Sequence, residues 1–210
     1  RNWVAKLEPA DTGKTIWADY ADDNSYSSAE ARAKQDFIAE FAAATRPAMI
    51  WDIGCNTGAY AEVALAAGAG SAIGFDFDQG ALERAFARAQ SKGLDFLPLF
   101  LDAANPAPSQ GWAQSERPGL MERAPADAVL ALAVVHHLAI ARNIPLDRVV
   151  DWLVALAPRG IVEFVQPDDP MVKQLLSLRD DIFSGYSEAA FTHALQQRAR
   201  IVRTATVSSE

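Results

Sequence analysis

The chain has 210 residues, of which 50% are hydrophobic and 22% are charged; this apolar content suits a sizeable core and excludes a disordered or collagen-like chain. The formal net charge of −8 argues against a protein that tracks a nucleic-acid backbone and favours a small-molecule partner. A single cysteine forbids an internal disulfide, and without a Cys/His cluster we expect no metal site.

The longest apolar stretch, residues 128–135, is far too short to cross a bilayer whose hydrocarbon core is about 30 Å thick. The N-terminus has no apolar region of the kind found in a signal peptide. We therefore expect a cytoplasmic protein without a membrane partner. Composition implies no particular oligomeric state.

The N-terminal part predicts an arm followed by one helix. Ser27 and Glu30 form a capping-box pattern, which predicts a helix that begins there and runs to about residue 44. We assign residues 1–46 to this arm and lid helix, and residues 47–210 to the main domain. Tyr26 and Lys34 lie where they could contact a ligand, but Lys34 is interpreted as a solvent-facing side chain in preference to a ligand contact.

From residue 48 onward, short apolar runs alternate with helical periodicity. This alternation predicts a Rossmann-like, doubly wound α/β fold with a mostly parallel sheet and helices on both faces. Pro98 lacks a backbone donor, so its strand is expected at the sheet edge. Predicted strands occupy residues 48–53, 71–75, 96–101, 127–135, 160–165 and 200–207. Predicted helices occupy residues 59–67, 79–92, 146–156 and much of 170–198.

Titratable side chains lie where four of these strands end. Asp52 lies at the end of the first strand, Asp76 follows the second, Asp102 the third, and His136 with His137 the fourth. In an open α/β sheet, ligands bind beyond the carboxyl ends of the strands. We therefore expect these side chains to line one ligand site.

The first strand leads into a glycine-containing turn, DIGCNTG, at residues 52–58. Gly54 and Gly58 allow a tight turn and a close approach of a ligand to the backbone, and Asn56 tolerates left-handed geometry. A purely structural turn with ordinary helix capping would explain the same residues.

The acidic residues favour a positively charged, adenosine-containing ligand. Asp76 lies roughly 20 residues beyond the turn, where a carboxylate accepts hydrogen bonds from ribose hydroxyls. A pyrophosphate needs the bare N-terminus of a helix, so Asp52 would repel it and favour a ligand with an amino group and a sulfonium. Asp102 is positioned to accept from an adenine amino group.

Together these motifs resemble those of the class I S-adenosylmethionine-dependent methyltransferases. DIGCNTG at 52–58 is similar to the family's first motif, FDFD at 75–78 to its ribose-binding acid, LFLDAAN at 99–105 to its adenine-binding segment, and DAVLALAVVHHL at 127–138 to its fourth strand. The resemblance covers roughly residues 27–207. It implies a seven-stranded sheet of order 3-2-1-4-5-7-6 with strand seven antiparallel.

The resemblance also implies S-adenosylmethionine as the cofactor. Asp52 and the turn backbone would face its methionine part, Asp76 its ribose, and Phe77 with Asp102 its adenine. The candidate cofactor-binding residues are therefore Asp52, Gly54, Cys55, Asn56, Gly58, Asp76, Phe77, Asp102 and Ala103.

Three further stretches, at residues 106–117, 136–146 and 161–170, are similar to a bacterial methyltransferase subgroup related to nodulation proteins, and they specify no acceptor. The chain stops soon after the predicted strand at 200–207, so the antiparallel partner of the family pattern is missing. Either the chain is truncated at its C-terminus or the strand boundaries differ from those predicted here.

On the acceptor side, the cofactor's methyl group is already activated, so the protein mainly needs to align a small or medium-sized acceptor. His136 and His137 are the candidate general bases, and on an extended segment at most one of them would face the pocket. Glu163, within an apolar strand, is expected to reach either the acceptor or a structural partner.

Two alternatives stay open from the residues alone. An NAD(P)-dependent oxidoreductase shares the glycine turn and Asp76, but it predicts a turn without Asp52. A non-catalytic domain that binds S-adenosylmethionine would retain all of these residues, because none of them is an obligatory nucleophile.

Overall fold

The computed structural model describes residues 28–123, 126–177, 183 and 185–207. Five parallel strands form one sheet of order β3-β2-β1-β4-β5, with helices packed around it, which confirms the predicted fold class. The strands are β1 (Met49–Ile53), β2 (Ser71–Asp76), β3 (Phe96–Phe100), β4 (Ala128–Ala131) and β5 (Gly160–Val162). The α-helices are α1 (Ser28–Thr45), α2 (Ala59–Ala66), α3 (Gln79–Lys92), α4 (Leu146–Ala155), α5 (Pro170–Leu176) and α6 (Glu188–Gln196).

Helix α3 illustrates how local sequence sets an element's bounds. The Asp78 side chain accepts a hydrogen bond from the Ala81 N–H at 2.9 Å and caps the first turn. At the other end Gly93 adopts a left-handed conformation (φ 60°), which ends the helix. Both ends agree with the predicted helix at 79–92.

The core lies on both faces of the sheet because successive strand residues point to opposite sides. On one face, Ile50 and Leu130 pack in a buried cluster with Ile38 and Ala42 of α1 and with Ala64 of α2. The opposite face is covered by α4, α5 and α6, and its buried cluster includes Trp51, Ile53, Val129, Ala131, Val149, Val150, Leu153, Val172 and Phe191. Helix α1 is thus part of the core that carries the sheet.

Strand β3 lies at the edge of the sheet, as Pro98 predicts. Pro98 is in register with Gly74 of β2, and β3 pairs with no other strand of the described sheet. Pro98 has no backbone N–H to donate. It therefore suits a strand whose outer side forms no hydrogen bonds with a further strand of the sheet.

The fourth strand is shorter than the sequence predicts. It ends at Ala131 rather than at residue 135, because Ala133 has a left-handed φ of 49° that no strand continues through. A π-helical turn follows at His137–Ala141. Residues 132–134 form a mostly buried loop here, and a helical turn begins at residue 135; burial explains the strand-like composition of this run.

The predicted strand at 200–207 is wrong. Over the described residues 201–207 the backbone is irregular, and Val202 is 81% exposed. Arg203 instead lies over the Phe37 ring, 4.7 Å from its centroid, and forms an ion pair with Glu40 of α1. Side-chain contacts with a helix thus replace pairing with the sheet.

The N-terminal arm and the predicted capping residue Ser27 lie outside the described residues. Among the helices that are described, none combines the length and the apolar character needed to cross a membrane.

Candidate active site

The turn after β1 is built from left-handed backbone. Gly54 (φ 77°), Asn56 (φ 46°) and Gly58 (φ 75°) all have positive φ. The N–H groups of Gly54 and Cys55 donate to the Phe75 carbonyl at 2.8 and 3.0 Å, which ties the turn to β2. Because Gly54 is exposed, the turn presents its backbone to any ligand that binds at the carboxyl ends of the strands.

Gly58 has a packing reason as well as a conformational one. A Cβ atom at this position would lie 2.3 Å from the Phe96 ring, well inside van der Waals contact. Gly58 thus lets the start of α2 pack closely on β3's first residue.

Asp52 is buried at the end of β1. Its side chain is 1% exposed, and its Oδ2 has no hydrogen-bond partner in the described structure. Burial, and then the charge of Asp76, raise its pKa from 3.8 to about 7. A buried carboxyl with an unsatisfied oxygen is suited to a ligand that brings positive charge or hydrogen-bond donors.

Asp76, at the end of β2, holds the backbone around it. Its Oδ2 accepts from the Asn56 N–H at 2.8 Å, and its Oδ1 accepts from the Asp78 N–H at 2.9 Å. Burial raises its pKa, opposed by these backbone hydrogen bonds. Phe77 follows with a ring that is 52% exposed at the same sheet edge.

Asp102 lies two residues after β3, beside the end of β2. The neighbouring Leu101 N–H donates to the Asp76 carbonyl at 2.8 Å. One Asp102 oxygen accepts from the Ala104 N–H at 3.0 Å, and the other pairs with Arg142 at 3.0 Å. Ala103 lies within this turn. The structure therefore brings Asp102 to the predicted edge, already engaged by a turn and an ion pair.

Cys55 contributes packing within the turn. The thiol is buried among Ala61, Ala72 and Phe96, and it donates to the Asn56 carbonyl at 3.7 Å. Burial raises its pKa well above the usual range, so the thiol stays protonated.

The two candidate bases lie side by side instead of on opposite sides. Because His136 and His137 lie on a helical turn, their ring centroids are only 4.1 Å apart. Burial, then the charges of His137 and Lys34, lower the pKa of His136 to about 3. Burial lowers the pKa of His137 to about 4. Both imidazoles are therefore neutral at pH 7, and the His136 Nδ1 has no partner among the described residues.

A buried ion pair joins α1 to the end of β5. Lys34 is 4% exposed, so its assignment to solvent is wrong, and its Nζ lies 2.8 Å from a Glu163 oxygen. Glu163 thus has the structural partner that the sequence left open. The sequence of the helix could not indicate this contact, because Lys34 and Glu163 are 129 positions apart in the chain.

Within the described ranges, no group of three or more His, Cys, Asp or Glu side chains is arranged to hold a metal ion.

A methyltransferase-domain family matches residues 26–198. The nodulation protein NoeA of Rhizobium meliloti (strain 1021) is 51% identical over 202 residues, which cover 96% of this chain and 42% of that protein. The chain thus spans less than half the length of this relative, and the predicted relation to nodulation proteins is confirmed.

Solved structures share the fold. Magnesium protoporphyrin IX methyltransferase (ChlM) of Synechocystis PCC 6803, determined with bound SAH, superposes with a TM-score of 0.57 at 20% identity, over 85% of this chain and 78% of that one. WbdD superposes with a TM-score of 0.54 at 18% identity, over 80% of this chain and 36% of that one. The family match covers most of the residues that build the sheet and its carboxyl edge, and the chain therefore belongs to the methyltransferase-domain family.

Proposed function

We propose that this domain binds S-adenosylmethionine and transfers its methyl group to a small or medium-sized acceptor. When bound, this cofactor supplies a methyl group that is activated by its attachment to a positively charged sulfur. The observation that carries the proposal is the buried carboxyl of Asp52, beside a turn of left-handed backbone, whose Oδ2 has no partner among the residues that the structure describes.

The residues present fit such a ligand. A raised pKa means that ionised Asp52 is poorly stabilised by its own surroundings. The cationic amino group of the cofactor's methionine part would supply the missing stabilisation, and a pyrophosphate would worsen it. The exposed backbone at Gly54 leaves room for close approach.

The adenosine part would lie along the ends of β2 and β3. Although both Asp76 oxygens accept backbone N–H groups, a carboxylate has about four acceptor positions and can still accept from ribose hydroxyls. The half-exposed Phe77 ring offers a surface for the adenine base. Asp102, paired with Arg142, would bound the far side of that base.

A small-molecule acceptor fits the net charge of −8, which disfavours a nucleic-acid surface. A single, buried thiol is what a reducing compartment such as the cytoplasm allows. Next to the acceptor, neutral His136 and His137 would form hydrogen bonds to it, and their lowered pKa values make them weak general bases.

Calorimetric titration of the purified chain tests cofactor binding. We expect S-adenosylmethionine and S-adenosylhomocysteine to bind at one site, and NAD⁺ not to bind. Asp76→Ala should weaken binding at least about tenfold, the effect of losing roughly 1.4 kcal/mol of interaction. Binding of NAD⁺ in place of S-adenosylmethionine would overturn the proposal.

A matched control separates the lost carboxylate from general damage. Asp95 is exposed and directly precedes β3, so it lies at the amino ends of the strands, away from the candidate site at their carboxyl ends. Asp95→Ala should bind S-adenosylmethionine like the unaltered chain. If both variants weaken binding equally, the assignment of Asp76 is wrong.

A further inference from the structure

One polar cluster at the sheet edge takes no part in the proposed cofactor contacts. It consists of Lys34, Glu163 and His136, and we call it the acceptor cluster. The Lys34 Nζ lies 2.8 and 2.9 Å from the two Glu163 oxygens, and the two side chains are only 5% and 13% exposed. Desolvating two charges is costly, so a buried pair is weak evidence for a purely stabilising role.

The acceptor cluster lies where three strands end. The Glu163 N–H donates to the Ala131 carbonyl at 3.0 Å, which holds Glu163 beside the last residue of β4. The Lys34 Nζ lies 5.5 Å from the ring centroid of Tyr60, at the start of the helix that follows the β1 turn. Lys34 therefore bridges the β1 turn and the ends of β4 and β5.

His136 supplies the group that points to a ligand. It is 4% exposed, and its Nδ1 has no partner in the part of the chain that is described. Burial, and then the charges of His137 and Lys34, lower its pKa, so the cluster resists a further positive charge. A π-helical turn begins at the next residue, a feature frequent at functional sites.

We infer that the acceptor cluster binds the methyl acceptor and selects an acidic hydroxyl, that of a phenol or an enol. This inference rests on the proposed methyl transfer and names its acceptor class. The acceptor binds as its anion: the Lys34 ammonium, held in place by Glu163, stabilises negative charge on the acceptor oxygen, and the neutral His136 imidazole forms a hydrogen bond to that oxygen through Nδ1. A protonated amine would add a second positive charge beside Lys34 and is disfavoured.

The transfer is balanced with the groups named. A lone pair of the acceptor oxygen forms a bond to the methyl carbon, and the carbon–sulfur bond breaks with its electron pair staying on sulfur. The hydroxyl proton leaves to solvent when the acceptor binds as its anion, and His136 stays neutral throughout. The products are a methyl ether and S-adenosylhomocysteine.

Three matched probes test the acceptor class in the presence of saturating S-adenosylhomocysteine: 4-nitrophenol, 4-nitrobenzyl alcohol and 4-nitrobenzylamine. We expect 4-nitrophenol to bind at least about tenfold more tightly than the amine. Its phenolate absorbance should report a pKa lowered by about one unit or more on binding, as a nearby ammonium causes. Absence of 4-nitrophenol binding, equal binding of the amine, or an unshifted phenol pKa would refute the inference.

Variants assign the effect to Lys34. Lys34→Met with Glu163→Leu removes both charges together, so neither is left buried alone. In this double variant we expect the shift of the phenol pKa to vanish while S-adenosylhomocysteine still binds. Lys92→Met, which alters a half-exposed lysine on α3, should leave the shift intact. A shift that persists in the double variant contradicts the role of Lys34.

Failure of the proposed function and failure of the acceptor class give different results. If S-adenosylhomocysteine does not bind the unaltered chain, the proposed function fails with the inference. If it binds but the probes behave alike, only the acceptor class is wrong.

Discussion

At the scale of single residues, Asp52 combines burial with an unsatisfied oxygen. Such a group weakens the folded state when it is ionised and is stabilised by a cation. Its surroundings thus favour ligand binding over stability of the free protein. The consequences for affinity and for stability can be measured separately.

Asp52→Asn should weaken S-adenosylhomocysteine binding about 10- to 100-fold, since a hydrogen bond to a charged group contributes roughly 1.5–3 kcal/mol. For the unaltered chain, affinity should rise with pH, about tenfold per unit below pH 7, and level off above the Asp52 pKa of about 7. Calorimetry between pH 5 and pH 8 checks both expectations. A variant that keeps the pH dependence would exclude Asp52 as its origin.

Stability should show the opposite pH dependence. Folding raises the Asp52 pKa from 3.8 to about 7, so between these values the folded protein holds a proton that the unfolded chain has lost. The stability that Asp52 contributes is therefore fully present below about pH 3.8. It decreases as the pH rises and is lost above about pH 7, a total loss of roughly 4 kcal/mol. Asp76, also with a raised pKa, adds a loss in the same direction.

Urea unfolding of the ligand-free chain and of Asp52→Asn isolates the contribution of Asp52. The variant should gain stability relative to the unaltered chain as the pH increases from 5 to 8, since it cannot ionise. Parallel stability profiles for the two proteins would disprove the raised pKa.

At the scale of elements, the turn between β1 and α2 depends on Gly58. Gly58→Ala should lose about 1–2 kcal/mol through its left-handed backbone and about as much again by displacing the Phe96 ring. Gly93→Ala is the matched control, because Gly93 also has a left-handed φ (60°) but no atom within 4 Å of an added Cβ. Chemical denaturation should rank Gly58→Ala as clearly the less stable, and equal losses would contradict the packing argument.

Two of the ion pairs that helix α1 forms within the described structure differ in burial. Lys34→Met leaves Glu163 buried without its ammonium partner and should lose about 3–5 kcal/mol, most of which Glu163→Leu restores in the double variant. Arg203→Met breaks the exposed pair with Glu40 and should change stability by at most about 1 kcal/mol. A double-mutant cycle by denaturation measures both, and similar coupling energies would refute the distinction.

Elements with their own boundary signals were predictable from sequence. The bounds of α3 follow from the Asp78 cap and the Gly93 terminator, and the edge position of β3 follows from Pro98. The early end of β4 was not predictable, because a buried loop keeps the apolar composition of a strand. The Lys34–Glu163 pair also escaped prediction, since periodicity along a helix carries no record of a partner 129 positions away.

At the scale of the whole molecule, the parallel sheet brings the candidate site residues together. All five described strands run the same way, so Asp52, Asp76, Asp102 and His136 come from four segments to one edge. Ligand contacts spread over that edge would link several elements at once. Binding should therefore stabilise the protein as a whole.

Thermal unfolding with added ligands measures this linkage. At a concentration 100 times its Kd, S-adenosylhomocysteine should stabilise the chain by about 2.7 kcal/mol. For a chain of 210 residues this raises the Tm by roughly 5–10 °C. NAD⁺ at the same concentration should leave the Tm unchanged, because its pyrophosphate would meet the carboxylates of Asp52 and Asp76. Equal increases with both ligands would mean that the edge recognises adenosine alone, and that the buried carboxylate of Asp52 has no part in choosing the cofactor.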